Sequence, residues 1–159
     1  MYDIKYIAFA SALFFILGVV IFVDAKKGII PNTANLLLAV LALIWTFVFK
    51  EQSWVFMLTG AILGGGMLWG LRLLHKRTHG VYGLGFGDVK LMAAGGALLG
   101  PTYVSYAIAL GAMVSLMWVH IFMQRKSHSV PEKIAFGPGL SLGIACLWAY
   151  QVWRVYYGQ

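Results

Sequence analysis

Apolar runs of about 20 residues, separated by short polar connections, fill this sequence from end to end. Such a run matches the roughly 30 Å hydrocarbon core of a bilayer. Lipid offers no hydrogen-bond partners, so each crossing segment has to satisfy its own backbone, which a helix does. The sequence therefore predicts an all-α fold, a polytopic membrane bundle forming a single domain over 1–159. Charged residues are 11% of the chain, against about 25% in a soluble domain. Only Asp3, Asp24, Glu51, Asp88 and Glu132 are acidic.

Six spans are expected. They run from Ile4 to Val23, Thr33 to Phe49, Trp54 to Leu74, Asp88 to Gly100, Thr102 to Met123 and Phe136 to Val155. The first is too long and too weakly basic at its start for a signal peptide. The net charge of +7 does not indicate a nucleic-acid partner, because the basic residues are spread over short connections. They orient the chain instead. Lys26, Lys27, Lys76, Arg77, Arg125, Lys126 and Lys133, together with the loop-edge residues Arg72 and Lys90, fall at the connections after spans one, three and five, leaving Lys5, Lys50 and Arg154 for the other side. Both termini are thus expected outside, with Asp24 and Asp88 facing the cytoplasm. Trp45, Trp54, Tyr103, Trp153, Tyr156 and Tyr157 crowd the opposite ends, as in an interfacial aromatic belt.

Chemistry concentrates in Gly83-Leu84-Gly85-Phe86-Gly87-Asp88-Val89-Lys90. Glycine at this density marks tight bending or close backbone approach. The bland account makes Asp88 the N-cap of the following helix. However, the fourth span is short, about 13 steps at 1.5 Å, or roughly 20 Å. That places Asp88 inside the inner face of the membrane, where a carboxylate is costly and marks a functional site. Asp24 is a second anomaly, since it closes the first span at a helix C-terminus, where negative charge is disfavoured. Its bland account is a surface ion pair with Lys26 or Lys27.

Small-residue pairs at Gly60/Gly64, Gly66/Gly70, Gly96/Gly100 and Gly139/Gly143 allow close helix approach. They suggest a bundle in which span one touches span four. Two carboxylates at one depth then suit acid–base activation of water. His75 and His79, at i and i+4, lack a third ligand and sit among cations, so they read as a solvated basic face. His120 and His128 flank an inner helix end. No metal site is expected. Ser11, Ser105, Ser115 and Ser141 have no base at a recognisable spacing, and Cys146 reads as a small packing residue.

Gly85-Phe86-Gly87-Asp88-Val89-Lys90 resembles the G-x-G-D-x-K signature of type IV prepilin peptidases, relatives of archaeal preflagellin peptidases. Asp24 followed by Ile30-Pro31-Asn32, and later Phe136-Gly137-Pro138, are similar to two further segments of that family. The resemblance covers essentially the whole chain. It implies a membrane aspartic endopeptidase of the bacterial inner membrane, acting on the basic leader of prepilin or pseudopilin precursors at the cytoplasmic face. It also implies that Asp24 and Asp88 are the catalytic pair, with no cofactor. Gly85 and Gly87 would shape a strand-like approach for the peptide, and Lys90 completes the signature. Larger members carry paired CxxC motifs and N-methylate the new amino terminus. This sequence has one cysteine, so it resembles the short form and cleavage without methyl transfer is expected.

Two readings from other classes stay open. A proton- or cation-coupled carrier also places carboxylates at membrane depth, though paired broken helices near the midplane would suit it better. A non-catalytic pilus or secretion assembly subunit would tolerate Asp→Asn at either position. A presenilin-type protease shares G-x-G-D but is expected to show Pro-Ala-Leu late in the chain, where Pro138-Gly139-Leu140 stands. The substrate and the oligomeric state are not written in the sequence. The topology yields a first prediction. A cysteine introduced at Arg77 or Ser127 should be labelled only from the cytoplasmic side, and one at Gln52 only from outside. Labelling of both sets from one side overturns the six-span arrangement.

Overall fold

The computed structural model of the protein describes residues 4–80, 82–125 and 136–157. Among them are five helical elements: α1 (Ile4–Lys27), α2 (Asn32–Phe47), α3 (Trp54–His79), α4 (Phe86–Arg125) and α5 (Gly137–Tyr157). Lys126, Ser127, His128 and Lys133 lie outside the described residues, as do the side chains of Arg125, Tyr156 and Tyr157. Three helical stretches are long and apolar enough to cross a membrane: Ile4–Lys27, Trp54–His79 and Phe86–Trp118. The shorter Asn32–Phe47 is also apolar.

α4 covers the expected fourth and fifth spans and breaks at Gly100, whose φ of 74° and ψ of 175° are not helical. Pro101 follows and lacks the N–H that would continue the ladder. The break is a sharp bend. A Cβ at Gly96 would lie 3.1 Å from Val104 Cγ2, eight residues on, where a straight helix would separate them by about 12 Å. Glycine is required at position 100 by its positive φ and by the Phe56 ring against it.

The interior is built on backbone contact. A Cβ at Gly60 would strike the carbonyl oxygen of Gly96, and one at Gly64 the carbonyl of Met92, so α3 and α4 touch main chain to main chain. Gly139 and Gly143 of α5 press in the same way on Gly111 and Ala107 in the second arm of α4. Gly66 and Gly70 do not behave as expected. Nothing lies within 4 Å of a Cβ at either, so that pair faces away from the bundle. α1 packs on α2 and α5, not directly on α4 as the sequence suggested.

Several boundaries shift for local reasons. α3 continues past Leu74 to His79 and stops at left-handed Gly80, whose N–H donates to Lys76 O at 2.9 Å. His75, Lys76, Arg77 and His79 are therefore helical, with their charge at the C-terminal end where the dipole favours it. Trp45 is not a belt residue. It is 3% exposed and packs among Phe9, Phe49 and Trp148. Trp54 and Trp153 are exposed as a belt requires. Cys146 is exposed and is not a core packing residue.

If the α3–α4 contact organises the bundle, Gly60→Leu should destabilise it by more than the usual overpacking cost of about 1–3 kcal/mol, since backbone cannot yield as a side chain does. Gly66→Leu should stay within about 0.5 kcal/mol of the parent. Thermal unfolding in detergent compares the two. Equal midpoints for Gly60→Leu and the parent would refute the contact.

Candidate active site

One end of the bundle gathers the carboxylates. Asp24 lies in the last turn of α1 and is 5% exposed. Its Oδ2 accepts the N–H of Gly137, the first residue of α5, at 3.0 Å. No ion pair to Lys26 holds it; that ammonium lies over the Phe22 ring, 4.1 Å from its centroid. Asp88 is 7% exposed. The structure moves it from the N-cap into the first turn, because α4 already begins at Phe86. From there its carboxylate turns back against the backbone of Gly85, just ahead of the helix. Asp24 lies near enough for its charge to act on Asp88.

Ile30 joins the segments. A Cβ at Gly87 would lie 3.0 Å from Ile30 Cβ, and a Cβ at Gly137 would lie 3.0 Å from Ile30 Cδ1 and 2.6 Å from Asp24 Oδ2. Lys90 Nζ donates to Asn32 Oδ1 at 2.9 Å, tying the second turn of α4 to the start of α2. Gly85 and Gly87 are present for space and not for unusual dihedrals, since neither has a positive φ. A Cβ at Gly85 would come within 3.0 Å of Asp88 Oδ2. Gly85 immediately precedes α4 and Gly87 is its second residue, so both stand at a helix start.

Other candidates are engaged elsewhere. His75 and His79 stack at 4.4 Å between ring centroids, and among the described residues no three His, Cys, Asp or Glu converge as metal ligands. Ser11 donates to Ile7 O, Ser105 to Met67 Sδ and Ser115 to Phe136 O. Glu51 accepts from Tyr6 where α1 begins and α2 has ended. The sequence carried Ile30, Asn32 and Gly137 in the segments of the family resemblance but gave none of them a contact in the site. For Gly137 the available signal was the Phe136-Gly137-Pro138 stretch at the opening of a span.

Comparison with known proteins finds relatives over most of the chain. The family model described as the type IV leader peptidase family matches residues 11–121, which include both aspartates. A prepilin leader peptidase/N-methyltransferase of Aeromonas hydrophila is 31% identical over 150 residues, covering 92% of this chain and 51% of that relative. Proteins of the same description from Pseudomonas aeruginosa and Burkholderia pseudomallei are 30% and 34% identical over 141 and 129 residues. These alignments cover 84% and 76% of this chain, and 47% and 39% of the relatives. The chain spans about half the length of the curated relatives it matches. No solved structure gives a significant match.

Gly87→Leu should abolish any activity of this site while leaving membrane insertion largely intact, because the new side chain must displace Ile30 or tilt α4. Gly137→Ala should act through the other carboxylate, pushing Asp24 off the α5 N-terminus. Assay of precursor cleavage beside a fractionation blot checks both. Normal cleavage by either variant would mean that the packing around Ile30 does not govern the site.

Proposed function

The chain belongs to the type IV leader peptidase family, and from that premise we propose that it is a membrane aspartic endopeptidase with Asp24 and Asp88 as its catalytic pair. Its substrates are prepilin or pseudopilin precursors, from which it removes the basic leader. The observation that carries this reading is the meeting of two buried carboxylates, from the end of α1 and the start of α4, at one end of an apolar bundle. Neither is neutralised by an ion pair among the described residues, and Asp24 accepts one backbone N–H, that of Gly137. Lone pairs are thereby left on both for water.

The proposed chemistry needs no group beyond the chain and a water molecule. One carboxylate takes a proton from water as it attacks the scissile carbonyl, and the partner, protonated, donates to the carbonyl oxygen. Two full charges about 5 Å apart at an effective dielectric near 20 repel by roughly 3 kcal/mol. The pair therefore works with one proton shared, and its apparent titration belongs to both groups together. In the membrane the chain is proposed to cross six times, α4 contributing two arms around Gly100, with termini outside and the aspartates toward the cytoplasm of a bacterial inner membrane. The basic residues after spans one, three and five support that orientation.

Asp24→Asn and Asp88→Asn should each remove cleavage of a co-expressed pilin precursor, and the double variant should lose nothing further. The wild-type rate should be bell-shaped in pH, as expected of one acid and one base acting together. Processing at near wild-type rate by either single variant, shown to be inserted, would end the aspartic-protease assignment and reopen the carrier and assembly-subunit readings.

A further inference from the structure

The cations at the end of α3 orient the chain on the sequence reading, but the structure gives them contacts that orientation does not require. Arg72, His75, Lys76 and His79 fall at i, i+3, i+4 and i+7, a single face of α3. That face meets the segment leading to Asp88. Arg72 Nη1 donates to Leu84 O at 3.0 Å, and its guanidinium lies 4.3 Å from the Tyr82 ring centroid and 5.4 Å from that of Phe86. Lys76 Nζ donates to the Tyr82 hydroxyl at 2.8 Å and lies 4.4 Å from the same ring centroid. The His75 imidazole fills the place of a side chain at Gly83, where a Cβ would lie 2.5 Å from its Cδ2.

One peptide unit links this face to the site. The carbonyl of Leu84 accepts from Arg72, and Gly85, on the other side of the same planar amide, lies against the Asp88 carboxylate, a Cβ there being 3.0 Å from Oδ2. The amide is rigid, so fixing its oxygen fixes the direction of its N–H. The Arg72 charge itself reaches Asp88. Lysine could supply a charge here but not the planar fork that stacks on Tyr82 and Phe86 while bonding Leu84.

We propose that Arg72 is a positioning residue of the peptidase site: it clasps the 82–86 segment to α3 and, through the Leu84–Gly85 amide, aims and holds the Asp88 carboxylate. This rests on the peptidase reading above. The role belongs to Arg72 and not to the basic end of α3 as a whole, since Arg77 carries the same charge but has no contact of this kind.

The test measures cleavage of a pilin precursor by the full chain in proteoliposomes for wild type, Arg72→Met, Arg72→Lys and Arg77→Met. Hydrogen exchange over residues 82–90 is followed in the same samples. Arg72→Met should lower kcat by about tenfold to a hundredfold, the scale of a small misplacement of a reacting group. Its KM should change by less than about threefold, since substrate binding is not what is lost. Arg72→Lys should recover part of the rate, Arg77→Met should match wild type, and exchange should speed up only in the Arg72 variants. Wild-type kcat in Arg72→Met, equal losses in Arg72→Met and Arg77→Met, or unchanged exchange in Arg72→Met each overturn the clasp. If Arg72→Met does not insert, Arg72→Lys decides: slower cleavage with faster exchange supports the clasp, and wild-type values on both overturn it. A wild-type protein that cleaves nothing would sink the peptidase reading, while the exchange arm would still decide the clasp.

Discussion

The α3–α4 backbone contact is the constraint on which the rest of the arrangement depends. Between helices in lipid there is no hydrophobic driving force of the kind water supplies, so close packing must hold them. Gly60 and Gly64 present bare backbone to Gly96 and Met92, and Phe56 packs against the bend at Gly100. This contact sets how far α4 slides along α3. The last two turns of α3 consequently lie beside the segment that opens α4, within reach of Leu84 and Tyr82. The second arm of α4 then offers Ala107 and Gly111 to α5, whose first residue caps Asp24. The carboxylate cluster is thus the downstream result of contacts made deeper in the bundle.

A carboxylate in an apolar bundle needs compensation, and both are seated by the same device. Asp24 sits at the C-terminal end of its own helix, where the dipole opposes its charge, but its oxygen receives the first N–H of α5. It acts as a cap supplied from another element and borrows the favourable end of that helix. Asp88 stands in the first turn of α4, so it too lies at a positive helix end. Two helix N-termini thus face the two carboxylates, and among the described residues no salt bridge does. On the peptidase reading, a salt bridge would have occupied lone pairs that the chemistry requires.

The apolar runs and the two anomalous aspartates were legible because both rest on local rules: run length against bilayer thickness, and the cost of an unpaired carboxylate in an apolar segment. The Gly100-Pro101 break was legible for the same reason, since proline and glycine act on their own backbone. What could not be read is what depends on partners far along the chain. Glycine spacing cannot tell which face meets another helix, so Gly60 and Gly64 looked the same as Gly66 and Gly70. Trp45 has the composition of a belt residue and the environment of a core residue because Phe9 and Trp148 arrive from α1 and α5. Arg72 read as an orienting charge because its acceptor, Leu84, is met only when α3 continues past Leu74.

Ile30 shows why the three segments carrying the family resemblance belong together. Its side chain fills the room left by two absent side chains, at Gly87 in the second segment and at Gly137 in the third. The adjoining Pro31-Asn32 turn is fastened to the helix that carries Asp88 by Lys90. These glycines are therefore demanded by one isoleucine more than by their own dihedrals. On the peptidase reading, this packing also limits where a substrate can enter. The Gly87 and Gly137 flanks are filled by Ile30, and the Arg72 face is closed by Tyr82. Gly85 and Phe86 are exposed. A peptide would then reach the carboxylates across Gly85, where a side chain of the enzyme would come within 3.0 Å of Asp88 Oδ2 and stand in the path.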